Sequence, residues 1–175
     1  MADLLVIGGP PGSGKSTVAG LIAARLEPSL LVESDAFFGF LRGGIDPWLP
    51  ESDDQNRAVI RAGASAAGTF VRQGYATVFE GVLGPWYLDD LVSATGLDAI
   101  HYAVLLPPLV VCQRRVEERI GHPFRDVDVT AHLHREFASS AIESRHVIDA
   151  LGPASDVADL VLDAQAEGSL RVPLA

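Results

Sequence analysis

The segment Gly9-Pro10-Pro11-Gly12-Ser13-Gly14-Lys15-Ser16-Thr17 carries the plainest chemistry in the chain. It fits the spacing G-x-x-x-x-G-K-[ST] at every fixed position. Glycines let a backbone fold around an anion, and the N–H groups of such a loop and of the helix after it supply partial positive charge. Lys15 is then placed to reach the β- and γ-phosphates of a nucleoside triphosphate, and the Ser16 hydroxyl to ligate Mg²⁺. A glycine-rich turn arising by chance would not need the buried strand expected before it or the helix expected after it. A dinucleotide-binding turn would need a third glycine, which Gly12-Ser13-Gly14-Lys15-Ser16-Thr17 lacks.

Two carboxylates, Asp35 and Glu80, stand where strands of a parallel sheet should end, and such sheets bind ligands at those ends. Asp35 suits acceptance of a substrate hydroxyl's proton, a water-mediated hold on Mg²⁺, or simply a turn. Glu80 closes an apolar strand and suits either a metal-side acid or an ion-pair partner of Lys15 or an arginine. Arg114, Arg115 and Arg119 are expected on one helix, with Arg115 and Arg119 sharing a face. Two like charges there call for an anion between them, while Arg114 has Glu118 at pairing distance along the helix.

An acceptor beyond the γ-phosphate would meet segments 35–48, 53–61 and 81–86. Phe37, Phe38, Trp48 and Trp86 offer apolar walls, and Arg42, Gln55, Asn56 and Arg57 offer polar recognition. That mixture suits a small hydroxylated molecule. The irregular stretch from Phe37 to Pro50 is long enough to be functional rather than a connector. The histidines at 101, 122, 132, 134 and 146 lack paired cysteines or an H-E-x-x-H spacing, so a zinc cage is not expected. Cys112 falls on an apolar helical stripe and reads as a buried small hydrophobe.

These residues need a frame. Leu4-Leu5-Val6-Ile7-Gly8 is a continuous apolar run suited to a strand covered on both faces. Further strands are expected at Leu30-Leu31-Val32, Ala76 to Glu80, Ile100 to Leu106 and His146-Val147-Ile148. Helical spacing marks Val18, Leu21, Ile22 and Leu26, then Val59, Ala62, Ala66 and Phe70 after caps at Ser52 and Asp53. More helices are expected at Leu88 to Ala94, at Leu109, Cys112, Val116 and Ile120, around Leu133 and Phe137, and from a cap at Ser155 through Val157, Leu160, Val161 and Ala164. Strands alternating with helices of this length imply an α/β fold, a parallel sheet with helices on both faces.

At 175 residues, with 48% hydrophobic and 21% charged, the chain has the composition of a single compact domain over 1–175. Acidic residues number 23 and basic ones 13, a formal charge of −10, which repels nucleic acid and anionic membranes. A phosphate site on such a surface must be local. One cysteine excludes an intramolecular disulfide, the first residues lack a signal peptide's basic region, and no apolar run approaches a membrane span. The expected location is cytoplasmic.

The loop at 9–17, the position of Asp35, and Arg115-Val116-Glu117-Glu118-Arg119-Ile120-Gly121-His122-Pro123-Phe124 together resemble the small P-loop kinases. That group includes gluconate kinase, shikimate kinase, adenylate kinase and chloramphenicol phosphotransferase, with the zeta-toxin kinases as wider relatives. The resemblance implies five parallel strands in the order 2-3-1-4-5 and a short lid at about 121–128. It implies that Arg115, Arg119 and Arg125 touch the nucleotide or the transferred phosphate, that Asp35 orients the substrate hydroxyl, and that 149–154 contacts adenine. The expected activity is phosphorylation of a small-molecule hydroxyl by ATP and Mg²⁺ in a monomer or homodimer. Lys15, Asp35 and Arg119 would be catalytic, and residues 9–17, Arg115 and Arg125 would hold the nucleotide. Ser16 and Glu80 would hold the metal, and Asp35, Arg42, Arg57 and Trp86 the acceptor. The alternative is a nucleotide-dependent ATPase or switch without an acceptor. Glu80-Gly81 departs from the Asp-Gly of adenylate kinases, and 37–56 matches no substrate region in the group.

Overall fold

The computed structural model describes residues 3–120 and 124–173. Strands β1 (Leu4–Gly8), β2 (Ser29–Glu33), β3 (Ala76–Glu80), β4 (Ala99–Leu105) and β5 (Val147–Ile148) are parallel, in the order 2-3-1-4-5. A further strand, β6 (Arg171–Pro173), runs antiparallel beside the start of β4. The sequence reading had five strands. Arg171-Val172-Pro173 is too short to show alternation, and its proline is tolerated because the strand lies at an edge.

Alternation along the central strand β1 divides its side chains between two cores. Leu4 and Val6 enter one with Ile60, Phe79, Leu91 and Tyr102. Leu5 and Ile7 enter the other with Val18, Ile22, Val78 and Val161. Helices α3 (Asp53–Arg72) and α4 (Leu88–Thr95) supply the first core, and α1 (Lys15–Ala23) and α7 (Ala154–Ala166) the second. Each fully buried Leu or Ile contributes about 1.5–3 kcal/mol, so a strand that is apolar at every position requires cover on both faces. Among the described residues no helix is long and apolar enough to cross a membrane.

The inward face of α3 differs from the expected stripe. Ala62 and Phe70 are exposed, and Val59, Ile60, Gly63, Ala64, Ala67 and Gly68 are buried. Glycine carries no hydropathy signal, yet Gly68 is where α3 crosses α4. A Cβ there would lie 2.0 Å from the Thr95 carbonyl oxygen. The expected caps also have other partners. Ser52 precedes α3, but its hydroxyl hydrogen-bonds to the carbonyls of Pro47 and Leu49, and Ser155 lies inside the first turn of α7.

Two differences bear on the site. A single helical turn, α2 (Ser34–Phe38), follows β2 directly and places Asp35 in its first turn. Helix α5 (Leu109–Glu117) stops short of Arg119 and Ile120, so Arg115 and Arg119 do not share a helical face. Arg125 folds back and donates to the carbonyls of Glu117, at 3.3 Å, and Arg119. It satisfies carbonyls that the end of α5 leaves open. Asp126 then caps α6 (Val127–Ser139) through the N–H groups of Asp128 and Val129. Gly121, His122 and Pro123 of the expected lid lie outside the described residues.

Candidate active site

The loop between β1 and α1 owes its shape to two left-handed glycines, Gly12 at φ 80° and Gly14 at φ 96°. Gly12 is also pressed against α5: a Cβ there would lie 2.2 Å from the Cys112 carbonyl oxygen. Ser13 N–H donates to Pro10 O at 3.2 Å and closes the turn, while the Ser13 hydroxyl is buried with no partner among the described residues. Val18 N–H donates to Gly14 O at 3.0 Å as α1 begins. The N–H groups of Lys15, Ser16 and Thr17 belong to the helix's first turn, whose amides are free for an anion.

Lys15 begins α1 and is buried, with 9% relative exposure. Burial pulls its ammonium below the ordinary lysine value, and Glu80 and Asp35 partly restore it. Burial likewise pushes the Glu80 carboxyl up, against the pull of Lys15 and of Ser16, whose hydroxyl donates to Glu80 Oε2 at 3.1 Å. Glu33, the register partner of Glu80 on β2, adds repulsion. A hydroxyl and one carboxylate side by side suit Mg²⁺, which takes one or two protein oxygens together with phosphate oxygens and waters. Among the described residues no group of three or more His, Cys, Asp or Glu could hold a metal alone. The donor set therefore fits a Mg²⁺ that arrives with phosphate.

From this loop a cleft of about 1010 Å³ opens past Asp35 toward Trp48, Trp86 and α6. Lys15, Ser16, Thr17, Asp35, Arg119 and Trp86 line it. Asp35 is exposed and lines the same cleft as Lys15, close enough to act on its ammonium electrostatically. Trp48 and Phe124 meet edge-on at 5.8 Å, joining the segment before α3 to the segment before α6.

Arg42 and Arg57, expected to recognise the acceptor, do not line the cleft. Arg42 donates to the carbonyls of Gly39 at 3.0 Å and Leu41 at 3.2 Å in its own loop. Arg57 pairs with Asp53 at 2.8 Å and with Asp90, and lies over the Tyr87 ring at 5.4 Å. Gln55 accepts from Ile45 N–H and donates to Ile45 O, so it fastens the 39–49 segment to α3. Arg125, expected at the nucleotide, is occupied at the end of α5. Arg115 donates to Gly12 O at 3.4 Å, Ser13 O at 3.2 Å and Ala150 O at 3.1 Å, tying the phosphate loop to the loop after β5.

The sequence reading missed α6 as a wall. His132, Glu136 and Ser140 line the cleft, and His132 Nε2 lies 3.5 Å from Glu136 Oε1. Their spacing of four was the available signal, a polar stripe beside the buried Phe137.

Residues 4–143 match the AAA domain family. No curated protein matches the chain. Among solved structures it is similar to a sugar kinase from Janibacter, at 24% identity and TM-score 0.72 over 95% of each chain. A gluconokinase from Sinorhizobium meliloti is similar at 21% identity and TM-score 0.68, over 95% of this chain and 93% of that one. The tunicamycin resistance protein of Deinococcus radiodurans is similar at 22% identity and TM-score 0.67, over 95% and 96%. At these identities the likeness is one of fold, and that fold is the one expected for a small P-loop kinase. The family match itself runs from β1 past the end of α6 and contains the phosphate loop, so this chain belongs to the AAA domain family.

Proposed function

We propose that the chain transfers the γ-phosphoryl group of ATP to a hydroxyl of a small molecule. The observation that carries this reading is the buried Lys15 beside the Ser16–Glu80 pair, at one end of a cleft that continues past Asp35. Lys15 neutralises charge on the β- and γ-phosphates, and the amides of the first turn of α1 hold their oxygens. Ser16 and Glu80 hold Mg²⁺, which supplies further neutralisation of the phosphates. Asp35 positions the acceptor hydroxyl or takes its proton, and Arg119 stabilises charge on the transferring group. Arg115 supports the loop from behind rather than touching the reacting atoms.

An ATPase or switch has no use for a second compartment. A cleft of about 1010 Å³ is at the upper end of small-molecule sites and has room for an acceptor beside the phosphates. The kinases of similar fold support the same reading. The test is a metabolite and antibiotic library screened for stimulated ADP release from Mg·ATP. One compound or a related set should stimulate. Hydrolysis indifferent to every compound, with a protein partner that distinguishes ATP from ADP, would instead establish a switch.

A further inference from the structure

We infer that the phosphoryl acceptor is an uncharged or cationic hydroxyl compound with an apolar or aromatic portion, and not a carboxylate, sulfate or phosphate. This rests on the kinase reading above and names its substrate class. Among the described residues lining the cleft, the arginine and lysine side chains are Arg119 and Lys15 of the phosphate loop. Arg119 is close enough to act on Lys15 electrostatically. The rest of the lining carries the acids Asp35, Asp53 and Glu136, and the one basic ring there, His132, lies beside Glu136.

An anionic acceptor needs a cation, most effectively a forked arginine. Three arginines stand near the acceptor segments and all are committed elsewhere. Arg42 is held by carbonyls of its own loop. Arg57 and Arg61 both hold Asp90, whose side chain is only 11% exposed. Swinging either arginine into the cleft would weaken the pairing of a nearly buried carboxylate, which is costly. The formal charge of −10 further disfavours the approach of an anion.

Asn56 supplies an independent observation. It is 5% exposed and lines the cleft. Its amide nitrogen donates to Pro47 O at 2.7 Å, to Ser52 Oγ at 3.0 Å and toward the Tyr87 hydroxyl at 3.3 Å. The Pro47 carbonyl can only accept, which fixes the amide's orientation. Asn56 Oδ1 is thereby left as a buried acceptor with no partner among the described residues. An O–H or N–H that reached this oxygen would satisfy it, whereas an anionic oxygen would be repelled by it. Phe38, Trp48, Trp86 and Leu133 provide the apolar surface for the rest of the molecule.

The experiment uses the intact chain with Mg·[γ-³²P]ATP and three sets of candidate acceptors: sugar acids and sugar phosphates, neutral nucleosides, and aromatic amino alcohols. Label should pass only to members of the second and third sets. The highest kcat/KM for an anionic compound would overturn the inference while leaving the kinase reading intact. Glu136→Arg, on the half-exposed face of α6, should raise kcat/KM for anionic relative to neutral compounds by about tenfold. An unchanged ratio would remove the charge argument. If ATP binds and is slowly hydrolysed but no compound of any charge receives label, the kinase reading fails and the acceptor class falls with it.

Discussion

Replacing Arg115 by Ala should loosen the phosphate loop before it changes any contact to nucleotide. The guanidinium donates to Gly12 O, Ser13 O and Ala150 O at 3.1 to 3.4 Å. A hydrogen bond from a charged donor is worth about 1.5–3 kcal/mol at best. These three are long, half-buried, and two share one nitrogen, so their combined loss should be about 2 kcal/mol. For a chain of this size that lowers Tm by about 4–8 °C. The freed loop must then be ordered at the moment of binding, which should weaken ATP by about tenfold. Arg115→Lys keeps the charge but cannot span three carbonyls, so its Tm should fall nearly as far as that of Arg115→Ala. The assay is thermal unfolding of the nucleotide-free protein, paired with titration of a fluorescent ATP analogue. An unchanged Tm in Arg115→Ala, with ATP affinity lost and then restored by lysine, would make Arg115 a direct phosphate ligand and refute this account.

Other changes separate the remaining roles. Asp35→Asn should lower turnover by about a hundredfold while largely preserving ATP affinity, whereas Glu80→Gln should raise the Mg²⁺ concentration needed for activity. A Mg²⁺ titration that shifts for Asp35→Asn and not for Glu80→Gln would reverse those assignments. Arg119→Ala should cost more in turnover than in ADP affinity, and equal losses would mean that it only anchors nucleotide. Trp86→Ala should raise acceptor KM and also lower Tm, because the ring packs on Phe137 at 5.0 Å and Tyr87 at 5.8 Å. Arg42→Ala should leave acceptor KM unchanged, and a rise matching that of Trp86→Ala would put Arg42 back in the site.

The layout of the sheet was legible because the evidence for it is local. An apolar run, a glycine-rich turn and an amphipathic helix occupy adjacent residues, and Leu4 to Ala23 displays all three. The order of the strands came with the resemblance to the small P-loop kinases. What escaped depends on partners distant in sequence. Arg57 has Asp53 one helical turn before it, a local sign of pairing, but its second partner Asp90 is 33 residues away and has no local signal. Arg125 returns to the carbonyls at the end of α5, so the helix stops at Glu117 although the apolar spacing runs on to Ile120. Gly63 and Gly68 set the buried face of α3 through the absence of a side chain, which hydropathy cannot register. At Asp35 the strand end was read correctly in position but not in form, because a one-turn helix carries too little periodicity to be seen.

Lys15 gives the most direct test of the triphosphate site. Its ammonium is buried, its charge is held up by Glu80 and Asp35, and it lies at the mouth of a loop built around left-handed glycines. A desolvated contact from such a group to phosphate is worth about 1.5–3 kcal/mol, or roughly tenfold to a hundredfold in affinity. Calorimetric titration of Mg·ATP into the wild-type chain and into Lys15→Ala measures it, with circular dichroism confirming that both are folded. The predicted result is an affinity weaker by roughly ten- to a hundredfold in a folded Lys15→Ala protein. Equal affinities in two folded proteins would contradict the claim that residues 9–17 hold the triphosphate.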